Sequence, residues 1–265
     1  MSFKQNFKDN YVSFQGGIFL FKRTSAGARK GGWFIGNCPK GSLDLAVERR
    51  THKESTSGGR LTDKTQTTTK KGRLKLTFED IQKKNLQLAF AGNEQSISGS
   101  FSGGNYDTFE TGLAAGDIVK LQHFNVSTLV IKDSAGSPAT LVEGTDYKIH
   151  SAAHGIVEIL NLGSYVQPFR AQYAYAATTV ITGLEGSDDE EYYVYCALAN
   201  TEQSPDQPIG IEIYRNVFDP VAALALINDE QGQLEMEAEV MRDATRADDT
   251  KYGAFFRWVY VGENL

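Results

Sequence analysis

From Glu48 to Lys75 the chain reads ERRTHKESTSGGRLTDKTQTTTKKGRLK, a run of Thr, Ser, Lys, Arg and Gly with almost nothing to bury. Hydrophobic burial cannot offset the conformational entropy that ordering such a segment costs. The sequence on both sides has the patterns of ordered structure, so this is an internal arm and not a tail. We expect residues 48–75 to be a long, polar, mobile loop or a loose hairpin in the monomer, and to become ordered against a partner.

Charge is segregated along a chain whose formal net charge is −6. The internal arm is basic, whereas acidic residues concentrate at Asp188–Glu191 and again between Asp229 and Glu239. The acidic remainder argues against nucleic-acid binding over the whole surface. Complementary patches on one chain favour head-to-tail self-association, and ordinary solvated faces are the alternative explanation.

Strand patterns dominate the sequence. Short aromatic and β-branched runs bounded by glycine occur at Gly16–Thr24 and Gly31–Gly36. The segment LEMEAEVM at 234–241 alternates strictly, with Glu235, Glu237 and Glu239 on one face and apolar side chains on the other. A regular βαβ alternation is missing from the pattern. The sequence therefore predicts a mainly β fold with two packed antiparallel sheets, as a sandwich or barrel.

Two helices are predicted beside these sheets. Thr77-Phe78-Glu79-Asp80 is a capping-box pattern, and apolar residues follow at helical spacing, which predicts the main α-helix at about 78–91. Gly92 is placed to end that helix in a left-handed conformation. Asp219-Pro220 before VAALALI predicts a short second helix at about 220–228.

Repeats and linkers are missing from the pattern, so residues 1–265 are expected to form one domain. Residues 96–179 form a β elaboration or a small inserted β region in this interpretation. The longest apolar run, Val221–Ile227, is far shorter than the roughly 20 residues that span a bilayer. The N-terminus lacks a hydrophobic signal core, so we expect synthesis in the cytosol and no membrane partner.

No catalytic motif, metal site or cofactor site is predicted. The sequence has no P-loop and no nucleophile elbow. His150 and His154 flank a glycine-containing turn, and the run from Asp188 to Glu191 lacks the spaced oxygen ligands of an EF-hand. We therefore expect a protein that is not an enzyme.

A family resemblance rests on three segments taken in order. They are GGWFIGNCPKGSLDLAVERRTHKES, then LTFEDIQKKNLQLAFAG after the polar arm, and finally IEIYRNVFDPVAALALINDEQGQLEMEAEVM. The chain resembles the tail tube proteins (major tail proteins) of long-tailed bacteriophages over Trp33–Gly92 and Gly210–Val240. The middle of the chain does not share this likeness.

The resemblance implies a structural virion protein. Six subunits would form a ring, and rings would stack into the tail tube through which DNA leaves the capsid. Partners would be other copies of the chain, the tail terminator, tape measure and tail-tip proteins, and double-stranded DNA passing without specific binding. Assembly would take place in the host cytoplasm and the product would be the virion tail.

Two sets of site residues follow from the resemblance. The polar arm would contact the adjacent ring, and its basic residues would dock on a neighbouring subunit: Arg49, Arg50, Lys53, Arg60, Lys64, Lys70 and Lys71. The acidic face of Glu235, Glu237 and Glu239 would line the bore or the ring-stacking surface. An acidic bore avoids the phosphate contacts and counterion release that would retain DNA.

Other functions remain open from the sequence. The nearest alternatives are a tube protein of a contractile injection or type VI-like system and a ring-forming tail completion protein. More distant alternatives are a nucleic-acid-binding module that uses the basic arm and a carbohydrate-binding β-sandwich.

Overall fold

The computed structural model describes residues 11–56, 58–101, 104–187, 190–202, 206–229, 231–246 and 250–261. The elements of this part of the chain are β1 (Phe14–Arg23), β2 (Arg29–Phe34), β3 (Lys40–Lys53), β4 (Thr62–Phe78), α1 (Lys83–Ala89), β5 (Glu94–Ser100), β6 (Asp107–Thr108), β7 (Ile118–Lys120), β8 (Val126–Lys132), β9 (Tyr147–Ser151), β10 (Ile156–Ile159), β11 (Arg170–Ile181), β12 (Glu191–Asn200), β13 (Gln207–Phe218), β14 (Leu234–Val240) and β15 (Phe256–Tyr260). The paired strands run antiparallel. The prediction of a mainly β, antiparallel fold is confirmed.

The chain divides into two compact units. Unit 1 is formed from the chain up to Asn93 and from Ile181 onwards, and unit 2 is Glu94–Val180. Unit 2 is thus an insertion in the sequence of unit 1. It contains the whole of the span 96–179 that we assigned to a β elaboration, with two further residues before that span and one after it.

Unit 1 is built on one eight-stranded sheet, in which seven strands have the order β2-β1-β12-β13-β14-β4-β3 and the eighth, β15, lies off this path. Strand β13 pairs with β15 through its first half and with β14 only at Asn216–Phe218. Alternate residues of β4 and β14 face inward and meet those of β1, β12 and β13 in a single core, as in a sandwich. The largest fully buried side chains of this core are those of Leu20, Ile35, Phe78, Ile213, Leu234 and Met236.

Unit 2 has two small sheets around a core of its own. One sheet has the order β7-β10-β9, and the other has β5-β11-β6 with β8 also paired to β11. Period-2 alternation along β11 buries Ala171 and Tyr173 against residues of the three-stranded sheet such as Val157 and Ile159. Each unit therefore has a hydrophobic core of its own.

Residues 48–75 were expected to form either a loop or a hairpin, and the structure shows a hairpin. Strands β3 and β4 pair from Lys40 with Thr77 out to Lys53 with Thr62, and only residues 54–61 connect them. The Thr-rich composition explains this outcome, because β-branched residues fit an extended, pleated backbone. Two irregularities, at Glu48/Arg49 and His52/Lys53, shift the register along the hairpin.

The main helix is shorter than the predicted 78–91, because α1 covers only Lys83–Ala89. Thr77 and Phe78 belong to β4, where burial of Phe78 on the core face overrides the local capping signal. The predicted role of Gly92 is also wrong. Ala91 adopts the left-handed conformation, with φ of 44°.

The predicted second helix at 220–228 is wrong, since the described residues from 219 to 229 contain no helical residue. The Asp219 carboxylate, which was expected to cap the helix, accepts from Arg73. The backbone N–H of Val221 donates to the Ala89 carbonyl at 2.8 Å. Tertiary contacts hold the start of this segment in a non-helical path despite its favourable local sequence.

A buried ion network ties the strands of unit 1 together. Arg23 at the end of β1 contacts Glu191 of β12 at 2.6 Å and Asp243 at 2.8 Å, and its side chain is only 6% exposed. Burial alone would raise the pKa of Asp243, but hydrogen bonds from Thr245 and the charges of Arg23 and Arg246 outweigh it and lower that pKa. Burial would also raise the pKa of Glu191. The hydrogen bonds and charges of Arg215 and Arg23 outweigh this effect, so the pKa of Glu191 is lowered.

This network predicts acid sensitivity. Because both carboxyl groups have folded-state pKa values below those of the unfolded chain, they stabilise the fold above about pH 4.5. That stability is lost as the pH falls through their lowered folded-state values. Asp243→Asn should lower the free energy of unfolding at pH 7 by about 1.5–3 kcal/mol, the range for a hydrogen bond to a charged group.

The measurement is urea unfolding followed by tryptophan fluorescence between pH 7 and pH 3. Trp33 and Trp258 are the chain's two tryptophans and both lie in unit 1. The free energy of unfolding should fall less steeply with acid in Asp243→Asn than in the wild-type protein. Parallel pH profiles would contradict the role given to Asp243.

Gly92 predicts a second effect on stability. A Cβ atom there would lie 1.7 Å from the carbonyl oxygen of Thr182, so Gly92→Ala must displace backbone. We expect a loss of about 1–3 kcal/mol in the free energy of unfolding, as for overpacked sites. Gly183→Ala is the matched control, because a Cβ atom at Gly183 has no atom within 4 Å. Equal stability of the two variants in the same urea assay would refute the steric argument.

Candidate functional site

The outer part of the β3–β4 hairpin stands apart from the rest of the sheet. Strand β14 pairs with β4 only up to Gly72, which lies opposite Val240. Residues 46–53 of β3 and 62–71 of β4 therefore pair only with each other, and we call them the ribbon. At a rise of about 3.3 Å per residue the ribbon is about 25 Å long.

The ribbon has little to stabilise it within the monomer. All its side chains are exposed except that of Thr69, which is half-buried. Leu45 at its base and Val47 within it are 61% and 50% exposed and lie on the same face of β3. Two-stranded hairpins alone are marginally stable in water at best. A binding partner that covers Leu45 and Val47 would supply the missing burial.

Every basic residue predicted for the polar arm lies on the ribbon or in its connecting turn. Six of them have no carboxylate partner among the described residues: Arg49, Arg50, Lys53, Arg60, Lys64 and Lys70. Lys71 differs, because its ammonium contacts Glu48 at 2.6 Å. That hydrogen bond raises the pKa of Lys71 and lowers the pKa of Glu48. The ribbon thus carries unpaired basic side chains along its whole length, and Lys71 at its base is paired.

The three glutamates of β14 share one outward face, but that face is not purely acidic. In the register, Glu237 lies opposite Lys75 and Glu239 lies opposite Arg73. The Arg73 guanidinium contacts Glu237 at 2.6 Å, and this hydrogen bond is the main reason that the pKa of Arg73 is raised. Glu235 lies opposite Thr77 instead and faces no basic residue directly.

Acidic and basic strands alternate across this surface, which we call the charged face. Its basic stripe on β4 is Lys71, Arg73 and Lys75, and its acidic stripes on β3 and β14 are Asp44, Glu48, Glu235, Glu237 and Glu239. Lys75 contacts Asp44 at 3.0 Å, and that hydrogen bond raises its pKa. The carboxylates outnumber the basic groups, so the face is weakly acidic and its charges hold one another in place.

Sequence reasoning missed the partners of the glutamates and the exposed Leu45 and Val47. Arg73 and Lys75 were treated as part of a loop, whereas they belong to the strand beside β14. The period-2 alternation of Leu74, Leu76 and Phe78 was the signal that extends β4 through this region. The pairing of β4 with β14 has no local signal, since about 160 residues separate the paired segments.

Unit 1 also contains a cleft of about 780 Å³ that the sequence did not indicate. Its polar groups are largely engaged with their neighbours. Lys22 contacts Glu190 at 2.5 Å, and Glu190 also accepts from the Tyr192 hydroxyl. The Lys84 ammonium lies 5.6 Å from the centre of the Trp33 ring, whose N–H donates to Asn85. The arrangement is a cation–aromatic wall and an ion pair rather than a nucleophile with its base.

Side chains that could hold a metal ion do not converge in the described part of the chain. No group of three or more His, Cys, Asp or Glu residues there is placed to bind one. His150 contacts Glu158, whereas His154 contacts Ser151, so the two histidines have separate partners. Of the acidic run, Asp188 and Asp189 lie outside the described residues, and Glu191 belongs to the buried ion network.

Comparison with known proteins identifies a family whose function is unknown. No helix in the described ranges has both the length and the apolar character that a membrane crossing requires. No curated protein gives a significant match to the chain. One family model, described as "Protein of unknown function UCP028589", matches residues 11–259. Since this match covers nearly the whole sequence, the chain belongs to the family of unknown function UCP028589.

Proposed function

We propose that this protein is a structural protein of a bacteriophage tail that assembles into hexameric rings, which stack into a tube for DNA ejection. The observation that carries the proposal is the ribbon. It is about 25 Å of paired backbone with no core of its own and with unpaired positive charge, and it has exposed Val47 within it and exposed Leu45 at its base. Such an element gains its stability when it packs on another molecule.

The partner with matching chemistry is a second copy of the chain. The chain is acidic overall, so a basic projection is complementary to much of its own surface. The ribbon would dock on a neighbouring subunit through Arg49, Arg50, Lys53, Arg60 and Lys64. Contact between two different surfaces of one protein is heterologous, and it produces closed rings or open stacks. The likeness to tail tube proteins selects stacked rings.

The charged face supports a conduit function. In this proposal Glu235, Glu237 and Glu239 line the bore or the surface between stacked rings. The basic side chains beside Glu237 and Glu239 are already paired, so few free cations remain to contact DNA phosphates. A duplex would pass such a wall without the counterion release that drives binding.

The proposed partners follow from this role. They are further copies of the chain, the tail terminator, tape measure and tail-tip proteins, and DNA in transit. The protein would be located in the virion tail after assembly in the host cytoplasm. Neither a cofactor nor a catalytic step enters the proposal.

The test is negative-stain electron microscopy of the purified protein across a concentration series. Stacked hollow rings with a bore wide enough for a duplex are expected. Single rings that do not stack would favour a tail completion protein. A protein that remains monomeric at the highest concentration, with tail-tip proteins added as initiators, would refute the proposal.

Removal of the ribbon should abolish tubes and leave the fold intact. Residues 49–68 are replaced by Asn-Gly, so that Glu48 and Thr69, which pair in the structure, close a two-residue turn. The core of unit 1 is untouched, so the free energy of unfolding from urea titration should change by no more than about 0.5 kcal/mol. Tubes should be undetectable by microscopy. Normal tubes from this variant would show that the ribbon has no part in assembly.

A charge-only variant separates electrostatic docking from apolar docking. Arg49, Arg50, Lys53 and Arg60 are each changed to Gln, which keeps the ribbon and its aliphatic side chains. We expect weaker assembly that is less sensitive to salt than that of the wild-type protein, because exposed charges are screened. Unchanged salt dependence would exclude these four side chains from the contact.

Neutralising the glutamates should convert the conduit into a DNA-binding surface. Glu235→Gln with Glu237→Gln and Glu239→Gln leaves Lys71, Arg73 and Lys75 in excess on the charged face. Tubes should still form, and duplex DNA should sediment with them at about 50 mM salt and be released near 200 mM. Wild-type behaviour in both assembly and DNA sedimentation would refute the placement of this face.

The control for that experiment has the same change in net charge at another place. Glu110, Glu143 and Glu185 are exposed and lie outside the charged face. Their replacement by Gln should leave DNA sedimentation at the wild-type level. Equal retention of DNA by both triple variants would assign the effect to net charge and not to location.

A second candidate function is direct DNA binding by the ribbon. The major groove of DNA accepts a two-stranded β-ribbon, and this one presents Arg50 and Lys64 on an exposed face. Fluorescence anisotropy with a short duplex distinguishes the two functions. Salt-sensitive binding by monomers that the four-Gln variant loses would favour this candidate over the tube.

A further inference from the structure

Outside the ribbon, the described part of unit 1 exposes apolar side chains, and two groups of them form a candidate pair of contact surfaces. The first is the tip of the segment between β13 and β14, where Leu226 and Ile227 are 89% and 95% exposed. Full exposure of two adjacent large aliphatic side chains is unfavourable in water, because burial of each would be stabilising. We call these two residues the aliphatic tip.

The second surface is a group of three aromatic rings, which we call the aromatic patch. Phe14 of β1 packs edge-on against Trp258 of β15 with ring centres 5.2 Å apart, and Tyr260 lies 6.1 Å from Trp258. These rings are 40 to 45% exposed. They continue the inward-facing row that contains Phe256, which packs on the core, so the patch is the open end of the core.

The two surfaces are connected to opposite ends of β13. Tyr260 and Trp258 pair with Ile209 and Ile211 near its start, whereas the segment that carries the aliphatic tip leaves it at Phe218. From Ile209 to Phe218 the strand extends about 30 Å. Contact between one copy's tip and another copy's patch therefore joins surfaces connected to opposite ends of β13, and it can repeat from copy to copy because each copy offers one of each.

We propose that the aliphatic tip of one copy docks on the aromatic patch of the next. This inference rests on the proposed self-assembly and adds a second contact to that of the ribbon. Aromatic rings with accessible faces and edges are suited to aliphatic side chains of this size. The contact is heterologous, since the two surfaces differ, and each copy offers one of each. Docking would cover Leu226 and Ile227 and close the end of the core.

Site-directed cross-linking tests the pairing directly. Ile227→Cys and Tyr260→Cys are made in separate proteins, both with Cys38→Ser, which removes the half-buried native thiol. Mild oxidation of the mixture should give a disulfide-linked dimer that neither protein forms alone. A mixture of Ile118→Cys with Tyr260→Cys is the control, because Ile118 is 67% exposed but lies in unit 2. Equal cross-linking in this control would overturn the proposal.

The cross-linking also distinguishes other occupants of the patch. A dimer formed by Val47→Cys with Tyr260→Cys, in place of the expected pair, would assign the patch to the ribbon. A dimer formed by Ile227→Cys alone would indicate a symmetric contact between two tips. Either result would overturn the docking proposed here and leave self-assembly intact.

An assembly assay provides a second, independent measurement. Leu226→Ser with Ile227→Ser should raise the protein concentration needed for stacking by about tenfold or more. The urea unfolding curve should be unchanged, because both positions are exposed in the monomer. Tyr260→Ser should have a similar effect on stacking, and combining the changes should add little, because both remove one contact.

The outcome separates this inference from the proposed function. Normal stacking of the Leu226→Ser/Ile227→Ser variant, while the ribbon-deleted variant fails to stack, would overturn the tip–patch contact alone. Failure of the wild-type protein to assemble under any condition would overturn both.

Discussion

Packing of Leu74, Leu76 and Phe78 of β4 against the inward face of β14 holds the projecting parts of unit 1 in place. The same strand runs on for ten residues beyond this contact, to Thr62, without a second neighbour other than β3. One half of β4 is therefore a core strand and the other half is a free arm. The buried half of β4 sets the direction in which the ribbon leaves the sheet.

The same pairing determines the electrostatics. Since β4 lies between β3 and β14, the lysines and arginine of its outward face are placed between two acidic stripes. Each exposed ion pair contributes little alone, but an alternating set favours one register over others, because a one-residue slip would move every charge to the opposite face. The charged face is therefore a consequence of strand order. It is weakly acidic because its carboxylates outnumber the basic side chains with which they pair.

The sequence predicted the fold class well and individual elements less well. A period-2 pattern such as that of β14 is a local property of the sequence, and the folded protein keeps it as the alternation of buried and exposed side chains. The mainly β, antiparallel class could therefore be predicted from the sequence alone. The capping signals at Thr77 and Asp219 were real but were overridden, by burial of Phe78 in one case and by the Arg73 contact in the other. The candidate basic and acidic residues are visible as charge runs in the sequence, whereas their spatial relation is not, because a long-range strand pairing has no local signature.

The close approach of Gly92 to Thr182 has a consequence for how the chain accommodates unit 2. The backbone N–H of Thr182 donates to the Asn93 carbonyl at 3.0 Å, so the chain leaves unit 1 and re-enters it at neighbouring points. An insertion whose ends meet in this way imposes no distance requirement on the scaffold, and its length and sequence are free to change. Position 93/181 is thus a natural exchange point, where relatives of this protein can gain, lose or replace a whole module while the scaffold keeps its geometry.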